Sequence, residues 1–476
     1  MYLFFLAGRI PKVTVQVKET VLLLCYFAHL FYLTFIQMKK FSLLILLFSM
    51  THFAIGQTAI DIRKVDLKNG LRVIMHRDNT MPIVAVGVLY KVGSKNELPG
   101  RSGFAHFFEH LMFEGSEHIA RGEFMKLIQA SGGVNNAYTT HDKTYYYEVL
   151  PSNQLEMALW MESERMLHAK IDTVGVETQR EVVKEEKRLR IDNQPYMSFQ
   201  ENLFKRAYKV HPYKSVPIGT MEDLNAAQLN EFYDFYRTFY VPENAVLVIA
   251  GDIEYETAER LVRRYFEDIP RGGRPIPRPN VVEPPLEREI VDTIYDNIQL
   301  PAVFLAYRMP PKNSDDALAL SLVSRLLSTG NSSRLRKKLV DEQKIALEVI
   351  AFPYDLEDGG LFITLALANF GKDPKDIMAS MHEEIERLKK ERISDREFQK
   401  LLNQFETQQI SQMGSMQGIA DLLAEYEVFY GDANLINTIG QKVSKLTPAD
   451  LQRVANTYFD SNRRIILYYL PKSSQP

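Results

Sequence analysis

The chain has 476 residues, of which 46% are hydrophobic and 25% are charged, and its formal net charge is −3. This composition is that of an ordinary globular protein with room for about two or three domains. No basic excess and no basic patch interleaved with aromatic residues is present, which argues against nucleic-acid binding. The single cysteine, Cys25, excludes disulfides within the chain and cysteine-ligated zinc.

The first predicted element is a secretory signal peptide over residues 38–56. Residues 38–48 combine a short basic start with an apolar core, and Ala54-Ile55-Gly56 offers small residues for cleavage before Gln57. We therefore expect the mature chain to be exported to the periplasm without a stable membrane anchor. Residues 1–37 are expected to be an upstream misreading of the start. The alternative is that Val21–Gln37 is a membrane segment, although it is at the short limit for spanning.

The strongest functional signal is His106-Phe107-Phe108-Glu109-His110, which reads H-x-x-E-H, the inverted zinc-protease order. Residues four apart share one helix face, so His106 and His110 can bind one metal ion. Glu109 directly precedes His110 and can contact a metal-bound water without itself being a ligand. Apolar neighbours predict a buried helix over Phe104–Phe113, in which a buried Glu needs a partner such as a metal. The alternative is an amphipathic helix with two surface histidines.

Two imidazoles are too few for a zinc site, so a third ligand, preferably a carboxylate, must come from elsewhere. The charged segment Glu177–Arg190 is rich in strong helix formers and predicts a helix. Most of its charged residues, Lys187 among them, are expected on a solvated face.

The motif and this helix together resemble the M16 (pitrilysin/insulinase-like) family of zinc peptidases, in which a zinc-binding Glu follows H-x-x-E-H at about this spacing. The resemblance covers nearly the whole mature chain. It implies that His106, His110 and Glu186 bind Zn²⁺. It also implies that Glu109 is the catalytic base. Glu185 is the alternative to Glu186 as the third metal ligand, if the register slips by one residue.

The segment Gly132–Thr139 resembles the G-G-x-x-N-A-x-T segment of the same family. The resemblance implies an edge strand near the zinc, in which Asn136 and Ala137 bind the substrate backbone. An exposed edge can accept a peptide as an extra strand through main-chain hydrogen bonds. The alternative is an ordinary hairpin, with Gly132-Gly133 as the turn and Tyr145–Tyr147 in the strand.

The second half of the chain repeats the pattern of the first. A strand at Pro82–Tyr90 followed by the motif helix corresponds to a strand at Pro301–Tyr307 followed by a helix at Ala317–Leu327. An Asn69-Gly70 hairpin signal opens the first half. We expect an α+β fold with two related α+β domains, each a largely antiparallel sheet with helices packed on one face.

The predicted domain boundaries follow from this repeat. Residues 57–268 form the domain with the zinc site, the proline-rich residues 269–288 form a linker, and residues 289–476 form the second domain. Aligning Gly115 with Gly330 places Ser321, Ser324 and Arg325 opposite the metal motif. The second domain has therefore lost the metal site.

Some positions depart from the family pattern. In the family, a further Glu often stands seven residues before the metal-binding Glu. This chain has Gln179 at that position. Single-chain and homodimeric members carry a substrate-binding Arg and Tyr in the second half, where this chain has Val340 and Leu347. One explanation is a register slip, with Arg336 or Lys337 filling in. We favour the other, that the chain is the zinc-bearing subunit of a heterodimer whose M16-like partner carries the Arg/Tyr pair.

The expected function is that of a zinc-dependent metalloendopeptidase of the bacterial two-domain type, which hydrolyses peptides or unfolded polypeptides. The alternative is a non-catalytic M16-like binding or assembly subunit. Relatives of that kind typically lack part of the metal motif, whereas every member of it is present here.

Overall fold

A computed structural model of the chain describes residues 59–475. The predicted signal peptide, the start at Gln57, the segment Val21–Gln37 and Cys25 lie outside the described residues. Within residues 59–475, no helix is both long and apolar enough to cross a membrane.

The first half forms a six-stranded sheet. Its strands are β1 (Arg63–Asp66), β2 (Arg72–Arg77), β3 (Ile83–Tyr90), β4 (Val134–Thr139), β5 (Thr144–Pro151) and β6 (Ala245–Gly251). They lie in the order β1-β2-β6-β3-β5-β4, and every neighbouring pair is antiparallel except β2 and β6. The predicted hairpin joins β1 and β2. Gly70 in its turn has a φ of +91°, which favours a residue without Cβ.

The second half forms a five-stranded sheet. Its strands are β7 (Ile290–Asp296), β8 (Ala302–Arg308), β9 (Ala346–Tyr354), β10 (Leu361–Ala368) and β11 (Arg464–Pro471). Their order is β7-β11-β8-β10-β9, with β7 and β11 parallel and the other neighbours antiparallel. This order repeats β2-β6-β3-β5-β4 of the first sheet. The predicted pair of related, largely antiparallel α+β domains is confirmed.

Fourteen α-helices of the described residues pack on these sheets. In the first half they are α1 (Phe104–Leu111), α2 (Phe124–Ala130), α3 (Leu155–His168), α4 (Thr173–Lys187), α5 (Phe199–Ala207), α6 (Met221–Ala226), α7 (Leu229–Phe239) and α8 (Tyr255–Phe266). In the second half they are α9 (Asp315–Ser328), α10 (Pro374–Lys390), α11 (Asp395–Gln412), α12 (Met416–Tyr430), α13 (Leu435–Ser444) and α14 (Pro448–Tyr458).

Side chains of the central strand β3 alternate between two cores, as the pleat of a strand requires. Val84, Val86 and Val88 point into a core shared with α1, α3, α7 and α8. Ala85 and Leu89 point to the opposite face, into a core shared with the second half. Both faces of the central strand β3 are therefore buried.

The helix that covers this opposite face comes from the other half of the chain. α12 packs across β3 and β6, with Leu423 and Ala424 in the shared core. Conversely, α5 of the first half packs on β8 and β11 of the second sheet, where Phe204 joins Phe304 and Leu467. The sequence pattern predicts helices on one face of each sheet and gives no sign of this exchange.

Candidate metal centre

α1 carries the H-x-x-E-H motif, and aromatic packing fixes the rotation of this helix about its axis. The ring centroids of Phe104 and Phe107 lie 4.6 and 4.7 Å from that of Phe232 in α7. The ring of Phe108 stacks at 5.0 Å on that of Phe235. These side chains occupy the core side of α1, so the polar residues of the motif project from its other side.

The start of α1 is held by residues from elsewhere in the chain. Gly103 precedes the helix with a φ of +91°, and a Cβ there would lie 3.0 Å from the Ile218 carbonyl oxygen. The Glu97 carboxylate accepts hydrogen bonds from the N–H groups of Gly103 and Ala105 at 3.0 and 2.9 Å. These bonds satisfy backbone donors that the first turn of the helix leaves free.

The three residues predicted as metal ligands meet at one point. Glu186 Oε2 lies 3.0 Å from His110 Nε2 and 3.6 Å from His106 Nε2. The two imidazole centroids are 4.9 Å apart and their planes are inclined at 82°. One donor atom from each residue lies within 4.8 Å of the other two.

The donor set and its spacing fit a zinc ion. Ligand atoms at about 2.0–2.1 Å from a tetrahedral ion lie about 3.3 Å from one another. The two nitrogen–oxygen distances, 3.0 and 3.6 Å, fall on either side of this value. Catalytic zinc sites typically have three protein ligands of these types and one open position.

The protonation states of the cluster also suit a metal. Burial lowers the pKa of His106 to about 4, and the neighbouring His110 adds to this effect. The hydrogen bond from His110 lowers the pKa of Glu186. At neutral pH the imidazole of His106 is therefore uncharged and Glu186 is ionised, the forms in which such groups bind metal.

Glu186 and Glu185 point in different directions from the last turn of α4. Arg190, in a π-helical turn that continues α4, pairs with Glu186 Oε1 at 2.7 Å and leaves Oε2 for the histidines. The Glu185 carboxylate instead pairs with Arg188 at 3.0 Å, and its side chain is 55% exposed. The structure thus brings Glu186, and not the alternative Glu185, to the two histidines.

Two further residues of α4 have contacts that matter for the site. Gln179 Nε2 donates to Glu114 Oε1 at 2.6 Å, which ties α4 to the loop that follows α1. Lys187 is buried and pairs with Asp192 at 2.9 Å. The prediction of a solvated Lys187 was therefore wrong, because the π-helical turn that follows α4 brings Asp192 to its ammonium group.

Glu109 lies beside the cluster, and one of its carboxylate oxygens is held by β4. Thr139 Oγ1 donates to Glu109 Oε2 at 2.6 Å. Burial raises the pKa of Glu109, and the hydrogen bond from Thr139 opposes this rise. A carboxylate with an elevated pKa is suited to take up and release a proton. A role for Thr139 was not predicted from the sequence, although this residue is the threonine of the G-G-x-x-N-A-x-T segment.

Asn136 and Ala137 lie in β4, which is the edge strand of the first sheet next to α1. They pair with Tyr147 and Tyr146 of β5, and no strand of residues 59–475 lies along the other edge of β4. Asn136 Oδ1 accepts a hydrogen bond from the N–H of Ala137 at 2.9 Å. The edge therefore offers main-chain groups close to Glu109. One of them, the N–H of Ala137, is covered by the side chain of Asn136.

The positions of the second half that align with the motif hold neither imidazole nor carboxylate. The hydroxyls of Ser321 and Ser324 donate to carbonyl oxygens of their own helix, α9, at 2.7 and 2.8 Å. The guanidinium of Arg325 donates to Gln404 and Gln408 of α11. These contacts leave no metal-binding donor set at the three aligned positions.

Val340 and Leu347 occupy different surroundings. Val340 lies in a π-helical turn, Arg336–Glu342, and packs half-buried against the core of the second half. Leu347 lies in the edge strand β9 and is 46% exposed. Neither side chain can donate a hydrogen bond. Lys337, in the same turn as Val340, extends to the surface within 3.7 Å of Glu342.

Two stretches of the chain match known protein families. Residues 72–220 match the family described as "Insulinase (Peptidase family M16)". Residues 226–405 match "Peptidase M16 inactive domain". The first match includes α1, β4 and α4, which carry the cluster. The second begins at the end of α6, before β6, so the border between the matches is not the border between the two sheets.

Individual relatives agree with these matches. The chain is 33% identical over 410 residues to "Zinc protease PqqE" of Helicobacter pylori, covering 86% of this chain and 92% of that protein. The crystal structure of a protease from Helicobacter pylori is similar with a TM-score of 0.83 and 31% identity, covering 87% of this chain and 100% of that one. The first half of the periplasmic protease PqqL from Escherichia coli has a TM-score of 0.72 at 18% identity, with 87% and 92% covered, and shares the fold.

Proposed function

The chain belongs to peptidase family M16, and from this membership we propose that it is a zinc-dependent metalloendopeptidase acting on peptides or unfolded polypeptides. The family resemblance predicted from the sequence is thereby confirmed. The observation that carries the proposed activity is the meeting of His106, His110 and Glu186 next to a carboxylate, Glu109, that is not part of their cluster.

In the proposed reaction, His106, His110 and Glu186 hold Zn²⁺. When bound, the ion polarises the scissile carbonyl and lowers the pKa of water at the site. Glu109 takes a proton from the attacking water on the oxygen that Thr139 does not hold, and then gives this proton to the leaving amine. The hydrogen bond from Thr139 keeps that free oxygen in a constant direction.

A peptide substrate is proposed to lie along β4 as an additional strand. Asn136 and Ala137 supply main-chain hydrogen bonds, and the N–H of Ala137 exchanges its bond to the Asn136 side chain for one to a substrate carbonyl. Recognition through the main chain requires an extended segment. It therefore favours short peptides and unfolded polypeptides over folded proteins.

We also propose that the active form is a heterodimer. Val340 and Leu347 lack the donors that the family uses beside a developing oxyanion, and Ser321, Ser324 and Arg325 provide no second metal site. A second M16-like chain, without H-x-x-E-H but with the Arg/Tyr pair, would supply the missing donors. The two kinds of catalytic group would then come from different subunits.

The second candidate function is a non-catalytic binding or assembly subunit. The match of residues 226–405 to an inactive M16 domain, together with Val340 and Leu347, favours it. The presence of both histidines, Glu186 and Glu109 argues against this function, because a non-catalytic subunit does not need all four residues. Metalloendopeptidase activity is therefore the preferred assignment.

Export to the periplasm, with the mature chain starting near Gln57, is also a proposal. Its support is the basic start, apolar core and small residues over 38–56. A periplasmic protease, PqqL, shares the fold.

The decisive test is Glu109→Gln. Glutamine keeps the size of the side chain and can still accept the hydrogen bond from Thr139, but it cannot take up the proton. Hydrolysis of an unstructured fluorogenic peptide, measured with the partner present, should fall by about 10²–10⁴ or more, while bound zinc stays the same. Glu185→Gln is the matched control and should keep full activity. Undiminished turnover by Glu109→Gln would overturn the proposed function.

A further inference from the structure

A second group of two histidines and a buried carboxylate lies in the described part of the first half. His118 is in the loop after α1, whereas Glu164 and His168 belong to the last turns of α3. One donor atom from each lies within 4.8 Å of the other two, the same closeness that relates the ligands on α1 and α4. Nothing in the proposed peptidase mechanism uses these residues.

The three side chains face one another. His118 Nδ1 lies 3.0 Å from Glu164 Oε1 and 3.1 Å from Oε2, almost midway between the two carboxylate oxygens. The imidazoles of His118 and His168 have centroids 5.4 Å apart, with planes inclined at 88°. Both imidazoles are partly open to solvent, so small side-chain rotations can bring their nitrogens to a common ion.

The carboxylate at the centre is held in place before any ligand arrives. Glu164 is buried, at 7% exposure of its side chain, and Ser116 Oγ donates to its Oε2 at 2.6 Å. Carboxylates that bind a metal are commonly held by hydrogen bonds of this kind. Main-chain bonds also join the two segments, because Ser116 forms a β-bridge with Ala169 and Glu117 N–H donates to the His168 carbonyl at 3.0 Å.

We infer that His118, Glu164 and His168 form a second zinc site. Zinc is bound by imidazole and carboxylate groups in this combination. Glu117 Oε2 lies 3.1 Å from His168 Nδ1, so it can either hold this imidazole by a hydrogen bond or act as a fourth ligand. With neutral imidazoles, the two carboxylates carry two negative charges and balance a divalent ion.

Closely spaced ligand-type side chains do not by themselves make a metal site, as a group of three carboxylates shows. Asp142, Glu357 and Asp358 also bring donor atoms within 4.8 Å of one another. The Nζ of Lys95 lies among them, 2.9 Å from Asp142 Oδ1 and 3.0 Å from Asp358 Oδ2. The lysine already supplies the positive charge there. Among the described residues, no lysine or arginine forms an ion pair with Glu164.

The second ion would have a structural effect on the catalytic region. It would clamp the loop after α1 to the end of α3. The same loop carries Glu114, which bonds to Gln179 on α4, the helix that carries Glu186. A bound ion would therefore stiffen the segment that joins the two helices of the candidate active site, without taking part in the reaction.

The test is zinc stoichiometry of the purified full chain, by equilibrium dialysis against buffered micromolar Zn²⁺. Wild type should bind two ions per chain. His118→Gln and Glu186→Gln should each bind one, and the double variant none. His382→Gln, in α10 and outside the histidine clusters, is the matched control and should bind two. One ion in wild type, or no loss in His118→Gln, would overturn the inference.

Thermal unfolding gives a second readout that does not depend on activity. In the Glu186→Gln background, added Zn²⁺ should still raise the midpoint of unfolding, because the second site remains. Adding His118→Gln should abolish this rise while the midpoint without zinc stays close to that of Glu186→Gln, since His118 is at the surface. A rise that survives in the double variant would place the ion elsewhere.

Discussion

Thr139 donates a hydrogen bond to Glu109 across 2.6 Å and so joins the end of the edge strand β4 to the helix of the metal motif. The strand proposed to bind substrate and the carboxylate proposed to move the proton are thus parts of one hydrogen-bonded unit. A shift of β4 would move the proposed general base with it. In the proposed mechanism, substrate docking and proton transfer are therefore coupled through a single hydroxyl.

Replacing Thr139 with valine keeps the shape of the side chain and removes the donor. Since a hydrogen bond to a charged group contributes about 1.5–3 kcal/mol, kcat/KM should fall roughly ten- to hundredfold with zinc content unchanged. The bond lowers the pKa of Glu109, so the acid limb of the pH–rate profile should move to higher pH. Thr238→Val, at the surface of α7, is the control. An unshifted acid limb would show that Thr139 does not position Glu109.

Glu186→Gln should weaken zinc binding at the α1 site, because a neutral amide is a poor ligand for the ion. Glu185→Gln should have little effect, since its carboxylate pairs with Arg188 away from the histidines. Affinity measured by competition with a zinc chelator distinguishes the two variants. The opposite order would mean that the ligand is Glu185 and that the helix register is displaced in the metal-bound protein.

The isolated chain is expected to be a poor peptidase. Val340 and Leu347 provide no donor for the oxyanion, and loss of one such donor typically costs about 2.7–4 kcal/mol, or roughly 10²–10³ in rate. A partner of similar size that lacks H-x-x-E-H but carries the Arg/Tyr pair should restore this factor in a peptide-cleavage assay. A partner with that arginine replaced by methionine is the control. Full activity of the chain alone would contradict the heterodimer.

Acid should weaken the contact between the two halves. Glu425 of α12 pairs with Lys143, in the turn after β4, at 2.8 Å and with Lys312 at 2.5 Å. Burial by itself would raise the pKa of Glu425, but the two ammonium groups outweigh it and hold the pKa at about 2. The folded pKa lies below the ordinary value of 4.5. Ionised Glu425 therefore stabilises the fold above about pH 4.5, and this contribution is lost as the pH falls towards 2.

Glu425→Gln should lower the free energy of unfolding at neutral pH by about 3–5 kcal/mol, because it leaves a buried ammonium group poorly paired. On acidification, Glu425→Gln should also lose less stability than the wild type. Urea titrations at a series of pH values measure both effects. Glu383→Gln, at an exposed ion pair with Lys338, should change little. If wild type and Glu425→Gln lost stability equally in acid, this ion pair would not be the acid-sensitive contact.

The parts of the protein that could be predicted from the sequence are those that local patterns encode. The H-x-x-E-H spacing on an apolar helix predicts both the burial of α1 and a common direction for His106 and His110. The Asn69-Gly70 signal predicts the hairpin, and the repeated strand–helix order predicts two related sheets. Each depends on residues close together in the chain, where propensity and periodicity are informative.

Contacts between distant segments could not be predicted in this way. Thr139 and Glu109 belong to different elements, and neither residue type signals the other. The exchange of α5 and α12 between the halves was missed because it depends on contacts between residues far apart in the chain. The π-helical turn after Glu186, which brings Arg190 back to that carboxylate, depends on backbone geometry that side-chain patterns do not show.

The exchange of helices has a consequence for the order in which the chain acquires its structure during synthesis. Ala85, Leu89 and Val248 of the first sheet are covered only when α12, residues 416–430, has been made. Until then, a newly made first half presents an apolar sheet face to water and is prone to associate with other chains. A chain cut short before α12 never covers this face. Completion of the polypeptide is therefore a condition for the stability of the first half, although every proposed metal ligand lies in that half.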